Sequence, residues 1–277
     1  MRKIRLIALD LDGTLLTTEK VLTEENRKAL LRCAEEGIEI VPATGRFYGG
    51  MPENIRSLPF VHYAITVNGA QVYDIARDEA LYKGEIPVEE AVEIMSFLDT
   101  LPVIYDCYMD NWGWMTKGLY DLAPVFAPHK HSLEMLQKLR TPVPELKAHL
   151  RQVGHGVQKI QMFFLDMDLR QEMMGRLAEM FPDTAVTSSI PRNVELNARS
   201  AQKGIALAAL ADRLGIPMGQ TMAFGDDLND INMLRHAGIG VAMSNAPDEV
   251  KAHADWVTGS CDESGVAQAI AHFLWEE

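Results

Sequence analysis

The chain has 277 residues, 47% hydrophobic and 23% charged, with 26 Lys and Arg against 39 Asp and Glu and a formal charge of −13. Length and composition fit one large or two linked globular domains. The acidity argues against a nucleic-acid binder, which needs cations to displace counterions from phosphates. It also argues against docking on an anionic membrane surface.

The start, MRKIRLIALDLDG, has the basic-then-apolar texture of a signal peptide. Asp10 and Asp12 interrupt the apolar run too early for one. No stretch reaches the ~18 apolar residues of a membrane span. Cys33, Cys107 and Cys261 are widely spaced, with no CxxC pair, so they are expected to be buried small hydrophobes in a cytoplasmic protein. No repeat is visible.

The run IRLIAL, residues 4–9, predicts a buried parallel strand ending at the turn LDLDGT. TEENRKALLRCAEEG predicts a helix with Thr23 as N-cap and Gly37 at its end. IEIVPATGR predicts a second strand, and YAITVNGA a third that ends at Asn68 and Gly69. QVYD and EALYKGE predict a hairpin. Alternation of strand and helix implies a parallel sheet with right-handed crossovers.

From about residue 86 the texture turns α+β. Pro87 opens the helix VEEAVEIMSFLDT, and VIYDCY and WGWMT form a hairpin around Asp110-Asn111. A polar, His- and Pro-rich stretch, 129–155, predicts a solvated loop. His129, His131, His149 and His155 match no zinc spacing. VQKIQMFFLD predicts a strand, DLRQEMMGRLAEMF a helix, and AVTSS and NVELN two further strands. After Lys203 the α/β texture returns: helix KGIALAALADRLG, strand MAFGDDLND, helix INMLRHAG, strands GIGVAM and ADWVTG, and a C-terminal helix. The expected fold is therefore α/β, a Rossmann-like parallel-sheet core from residues 1–85 and 190–277. An α+β cap domain, 86–189, is inserted in it.

Asp10-x-Asp12-Gly13-Thr14 carries the most chemistry. Two carboxylates at a strand end can share one hard cation. Gly13 permits a tight turn whose N–H groups can cradle phosphate. One carboxylate can attack phosphorus and its neighbour can protonate the leaving oxygen and then activate water. The plain alternative is a structural Asp-Gly turn. Thr44-Gly45-Arg46 ends the second strand with phosphate donors, or is only a turn. Lys203 opens a helix where an anion is favoured, or is only a surface charge. Asp226 can complete a metal site and Asn229 can donate to a phosphate oxygen. Asp227 and Asp230 either support that site or cap the following helix. In an open parallel sheet these strand ends converge on one crevice.

Together LDLDGTLL, ATGR, SAQKG and FGDDLNDINML, in that order, resemble the four motifs of the haloacid dehalogenase-like hydrolases, and in particular the Cof-type phosphatases. ITVNGAQVYD and GIGVAMSNAPDEVKAHADWVT are similar to that subgroup as well, and the likeness is weakest in the middle of the chain. The resemblance implies Asp10 as nucleophile and Asp12 as general acid/base. It implies Mg²⁺ held by the Asp10 side chain, the Asp12 backbone carbonyl and Asp226. It implies phosphate held by Thr44, Gly45, Lys203, Asn229 and the Leu11 N–H. The expected activity is hydrolysis of a small phosphorylated metabolite, a sugar phosphate or phosphorylated cofactor, by a monomer or homodimer with no nucleic-acid or membrane partner. A phosphomutase also needs Asp12, and an idle phospholigand sensor would keep the fold. Aromatics Tyr105, Tyr108, Trp112 and Trp114 are expected to pack within the cap sheet.

Overall fold

A computed structural model describes residues 3–127 and 130–276. The chain divides into two compact units. The first comprises residues 1–46, 51–83 and 201–277, and the second 47–50 and 84–200.

Strands β1 (Leu6–Leu9), β2 (Glu39–Pro42), β3 (Tyr63–Thr66), β4 (Gln71–Asp74) and β5 (Glu79–Lys83) form the N-terminal part of the first unit. The second unit contributes β6 (Ile104–Met109), β7 (Trp112–Thr116), β8 (Arg140–Val143), β9 (Lys159–Phe163), β10 (Thr184–Thr187) and β11 (Asn193–Ala198). The chain then returns with β12 (Thr221–Gly225), β13 (Ile239–Met243) and β14 (Trp256–Thr258).

In the first unit a parallel sheet runs β14-β13-β12-β1-β2. Leu6, Ala8, Val41, Ala223 and Ala242 pack on one face against Ala206, Leu207, Leu210, Met233 and Leu234. The alternate residues Ile7, Leu9, Ile40, Phe224 and Val241 are buried too. Successive strand residues point to opposite faces, so both faces are covered, as apolar runs without alternation require. The helix Glu24–Glu35 starts as expected, with the Thr23 hydroxyl accepting from Asn26 N–H, and Gly37 follows it at φ +80°. The Asn26 amide ties this helix to the C-terminal one by accepting from Ala267 N–H at 3.0 Å. β1 lies between β2 and β12, so its carboxyl end sits where the strand order reverses.

The expected third strand departs from the simple pattern. β3 touches the parallel sheet through one bridge, Ala43 to Ile65, then pairs antiparallel with β4, which pairs with β5.

The second unit is a six-stranded sheet ordered β10-β11-β9-β6-β7-β8. Its β6–β7 hairpin turns at Asp110 and Asn111, at φ +53° and +59°, the left-handed pair that matches strand twist. Tyr105, Cys107, Ile160, Met162, Val194 and Leu196 face a core with Ile94, Met95, Leu98, Leu150, Met173 and Leu177. The unit extends to Ser200, ten residues beyond the expected border at 190, because β11 pairs with both β9 and β10 and completes this sheet.

The expected loop at 129–155 is instead regular structure: helix Lys130–Lys138, strand β8 and helix Leu146–Val153. Glu145 caps the second helix, and Leu146 and Leu150, one turn apart, are buried. Pro142 sits on β8, an edge strand, where its missing N–H costs little. Polarity and proline content had masked these signals. Helix Lys117–Phe126, with Pro124 inside, has no counterpart in the expectations. His149 stacks on Trp114 at 4.7 Å, and His155 bonds Asp110. His129 and the His131 side chain lie outside the described residues.

The aromatics pack as expected. Tyr105 Oη donates to Asp99, Trp112 Nε1 donates to Thr141, and Tyr108 meets Phe47 edge-on at 5.0 Å. All three cysteines are buried and free. Among the described residues no helix is long and apolar enough to cross a membrane.

Candidate active site

The turn after β1 delivers Asp10, which is 8% exposed. Its N–H donates to Phe224 C=O at 3.0 Å, so the strand pairing continues to this residue. Lys203, the first residue of helix Lys203–Arg213, is fully buried. Its ammonium donates to Asp10 Oδ1 and to Asp230 Oδ1, each at 2.7 Å. It is therefore not the solvated charge that one lysine in a sequence suggests.

Asp226 follows β12. Thr14 Oγ1 donates to its Oδ1 at 2.6 Å. Gly13 lies at φ +96°, and a Cβ there would stand 2.3 Å from Asp226 Oδ2. Glycine is required here both for the turn and for the approach of the second carboxylate. Asp10, Asp226 and Asp230 each place a carboxylate oxygen within 4.8 Å of the others.

The two undecided acids separate. Asp227 caps the turn Leu228–Asp230, accepting from Leu228 N–H. Asp230 is fully buried and accepts from the N–H groups of Asp226 and Asp227 at 3.0 and 3.1 Å, besides holding Lys203. It clamps the loop on which Asp226 rides.

Crowded acids shift accordingly. Burial raises the Asp10 carboxyl most; Lys203 draws it back, and Asp230 and Asp226 push it up again, to about 8. Burial also lifts Asp226, to about 6, against the Thr14 hydrogen bond. For Lys203, burial works against the charge, but Asp10 and Asp230 outweigh it and hold the pKa above that of an ordinary lysine. Lys203 therefore keeps its proton.

Asp12 points into a different set of contacts. Arg46 Nε and Nη2 grip its two oxygens, and Lys20 Nζ lies 3.0 Å from Oδ1. Partial burial acts to raise the Asp12 carboxyl, yet Arg46 and Lys20 together hold it below the usual range.

Thr44 is buried, and its hydroxyl accepts from Arg46 N–H at 3.2 Å. Leu11 is buried within the turn. A Cβ on Gly45 would stand 2.7 Å from Asn68 Oδ1. The same oxygen accepts from Asn229 Nδ2 at 3.0 Å. The structure thus gathers Asp10, Asp226 and Lys203 in one cluster, and places Asn68, which bonds Asn229, against Gly45. Arg46, Lys20, Thr14 and Asn68 had no assigned part. Thr14 lies within LDLDGTLL, Arg46 within ATGR and Asn68 within ITVNGAQVYD; nothing in the spacing singles out Lys20.

The acidic cluster fits a hard divalent cation, since its side-chain donors are carboxylate oxygens from two strand ends. Asp230 is engaged by Lys203 and two N–H groups, so Asp10 and Asp226, each with one oxygen outside its bond to Lys203 or Thr14, are the carboxylates that could hold the cation.

A haloacid dehalogenase-like hydrolase family model matches residues 7–270. The chain is 32% identical over 271 residues to 5-amino-6-(5-phospho-D-ribitylamino)uracil phosphatase YcsE of Bacillus subtilis, covering 98% of this chain and 96% of that one. It is 31% identical to pyridoxal phosphate phosphatase YbhA of Escherichia coli, with 98% of each chain covered. A haloacid dehalogenase-like hydrolase from Bacteroides thetaiotaomicron superposes with a TM-score of 0.83 at 28% identity, over 98% of this chain and 100% of that one. The chain belongs to the haloacid dehalogenase-like hydrolase family, and its curated relatives are phosphatases.

Proposed function

We propose that this protein is a Mg²⁺-dependent, cytoplasmic phosphatase that hydrolyses small phosphorylated metabolites through an aspartyl phosphate on Asp10. The observation that carries the reading is Lys203 held at 2.7 Å between Asp10 and Asp230, with Asp226 alongside. The lysine puts a fixed positive charge where a phosphoryl group must approach an anionic nucleophile.

Asp10 attacks phosphorus, and the P–O bond to the leaving alkoxide breaks in line. Asp12, which Arg46 and Lys20 hold ionised in the free site, takes up a proton as substrate binds and gives it to that oxygen. In the second half Asp12 takes a proton from water, whose oxygen attacks the phosphorus and frees Asp10 and inorganic phosphate. Lys203, Thr44, Gly45, Asn229 and the Leu11 N–H hold the phosphoryl oxygens. Mg²⁺, carried by Asp10, Asp226 and the Asp12 carbonyl, supplies Lewis-acid charge neutralisation. Dehalogenation needs no proton donor at position 12, so Asp12 favours ester hydrolysis.

The named relatives act on a ribityl phosphate and on pyridoxal phosphate. Sugar phosphates and phosphorylated cofactors are accordingly the substrate class. A panel of such compounds, assayed for free phosphate with and without Mg²⁺, tests the reading. Release of phosphate that depends on Mg²⁺ supports it. An isomeric sugar phosphate as the product identifies a mutase, and no turnover of any compound overturns the reading.

A further inference from the structure

We infer that Asn68 is a positioning residue of the phosphate pocket: its side-chain carbonyl fixes the orientation of the Asn229 amide, so that Asn229 offers N–H rather than C=O to a phosphoryl oxygen. The inference rests on the reading of Asn229 as a phosphate contact.

Three observations carry it. The first is the bond itself. Asn68 Oδ1 accepts one of the two Asn229 Nδ2 hydrogens at 3.0 Å. With Asn68 presenting its oxygen, rotation of the Asn229 amide by half a turn would set two acceptors against each other, so the pair as formed leaves the second Nδ2 hydrogen of Asn229 for a ligand. Asn229 is exposed, and without such a partner its amide would rotate freely.

The second is proximity to the Thr-Gly loop. The same Asn68 oxygen lies where a Cβ on Gly45 would stand only 2.7 Å away. One side chain therefore sits beside Gly45 and bonds Asn229, residues from separate strand ends.

The third is backbone strain. Val67, a β-branched residue, sits at φ +51°, and Asn68 at φ +59°. Both are left-handed, a region that β-branched side chains avoid. The segment is held there by Val67 N–H to Arg46 C=O at 2.9 Å and Asn68 N–H to Thr44 C=O at 3.0 Å. Behind it, Gly69 lies so close to the Gln202 and Lys203 backbone that a Cβ would stand 2.3 Å from the Gln202 carbonyl carbon and 2.6 Å from the Lys203 backbone nitrogen. Strain maintained between two loops of a site points to a positioning task. A plain turn would be served as well by glycine.

Asn68→Gly is the decisive variant, because glycine relieves the backbone and removes only the amide. Inhibition by inorganic phosphate is measured for wild type, N68G, N229A and the double variant, with melting curves to show that each folds. The expected result is phosphate binding weakened about tenfold in N68G and in N229A, with the double variant no worse than N229A alone. N68G equal to wild type, N229A equal to wild type, or additive losses overturn the inference. Calorimetric binding of inorganic phosphate in the presence of Mg²⁺ repeats the cycle without turnover. A chain that binds phosphate with this coupling but hydrolyses nothing upholds the role of Asn68 and overturns the phosphatase reading.

Discussion

Arg46 grips Asp12 with two parallel hydrogen bonds, Nε to Oδ2 at 2.8 Å and Nη2 to Oδ1 at 2.9 Å. A planar fork of this kind fixes the plane of the carboxylate as well as its charge, which a lysine cannot do. Arg46→Lys is therefore expected to impair turnover by about tenfold or more for alkyl phosphates, whose leaving groups need a well-aligned acid. Aryl phosphates, with better leaving groups, are expected to suffer less. Equal losses in kcat for the two substrate types would show that Arg46 does not act through Asp12.

Asp10→Asn removes the attacking oxygen's charge while keeping its shape. Turnover is expected to fall by at least about a thousandfold, the scale on which nucleophile removal is usually felt. Far-ultraviolet circular dichroism should match the wild type. Near-normal activity in a folded D10N chain would overturn the covalent mechanism.

Gly13→Ala tests the approach of the two acidic loops. The new methyl would fall 2.3 Å from Asp226 Oδ2 on a backbone at φ +96°. The expected cost is about 2 kcal/mol or more in unfolding free energy, with activity lost even well below the melting temperature. The check is denaturant unfolding beside a Mg²⁺ titration of activity.

Acid crowding makes stability depend on pH and on the cation. Asp10 and Asp226 have pKa values raised from 3.8 to about 8 and about 6. The folded chain therefore binds more protons than the unfolded one across that interval, and stability falls as pH rises from about 4 to about 8. A divalent cation opposes the repulsion between ionised carboxylates. Added Mg²⁺ is accordingly expected to raise the melting temperature more at pH 8 than at pH 5.5. An equal shift at both values would separate cation binding from these two acids.

In the second unit Lys159 and Glu195 form a buried ion pair at 2.7 Å. Lys159→Met leaves the Glu195 charge buried without its partner, and should cost about 3–5 kcal/mol. The double variant Lys159→Met, Glu195→Leu should recover much of that loss. Chemical denaturation of the three variants measures it, and a recovery of nothing would mean that Glu195 is held chiefly by Ser189 and Asn193, which also donate to it.

Local pattern was enough to read the core strands and the positions of the acids. LIAL, IVP and MAFG are apolar without alternation, and each runs directly into chemistry-bearing residues. Those features are local in the chain, so composition and spacing report them. The 129–155 segment escapes the sequence for a local reason as well, because its prolines and polar residues hide two short helices and an edge strand. The 190 border was misread because strand pairing is not local: β11 belongs with β9, some thirty residues away.

What tertiary structure alone decided is how the acids and cations pair. Lys203 and Asp10 are separated by 193 positions, and Asn229 and Asn68 by 161. No periodicity in the sequence relates them. The parallel sheet brings their strand ends together, and burial then forces each charge to take a partner, since an unpaired charge away from water is costly. The sequence by itself determined that a buried acidic centre would form at the strand ends. Packing decided that Lys203 would serve Asp10 and Asp230, that Arg46 would take Asp12, and that Asn68 would hold Asn229.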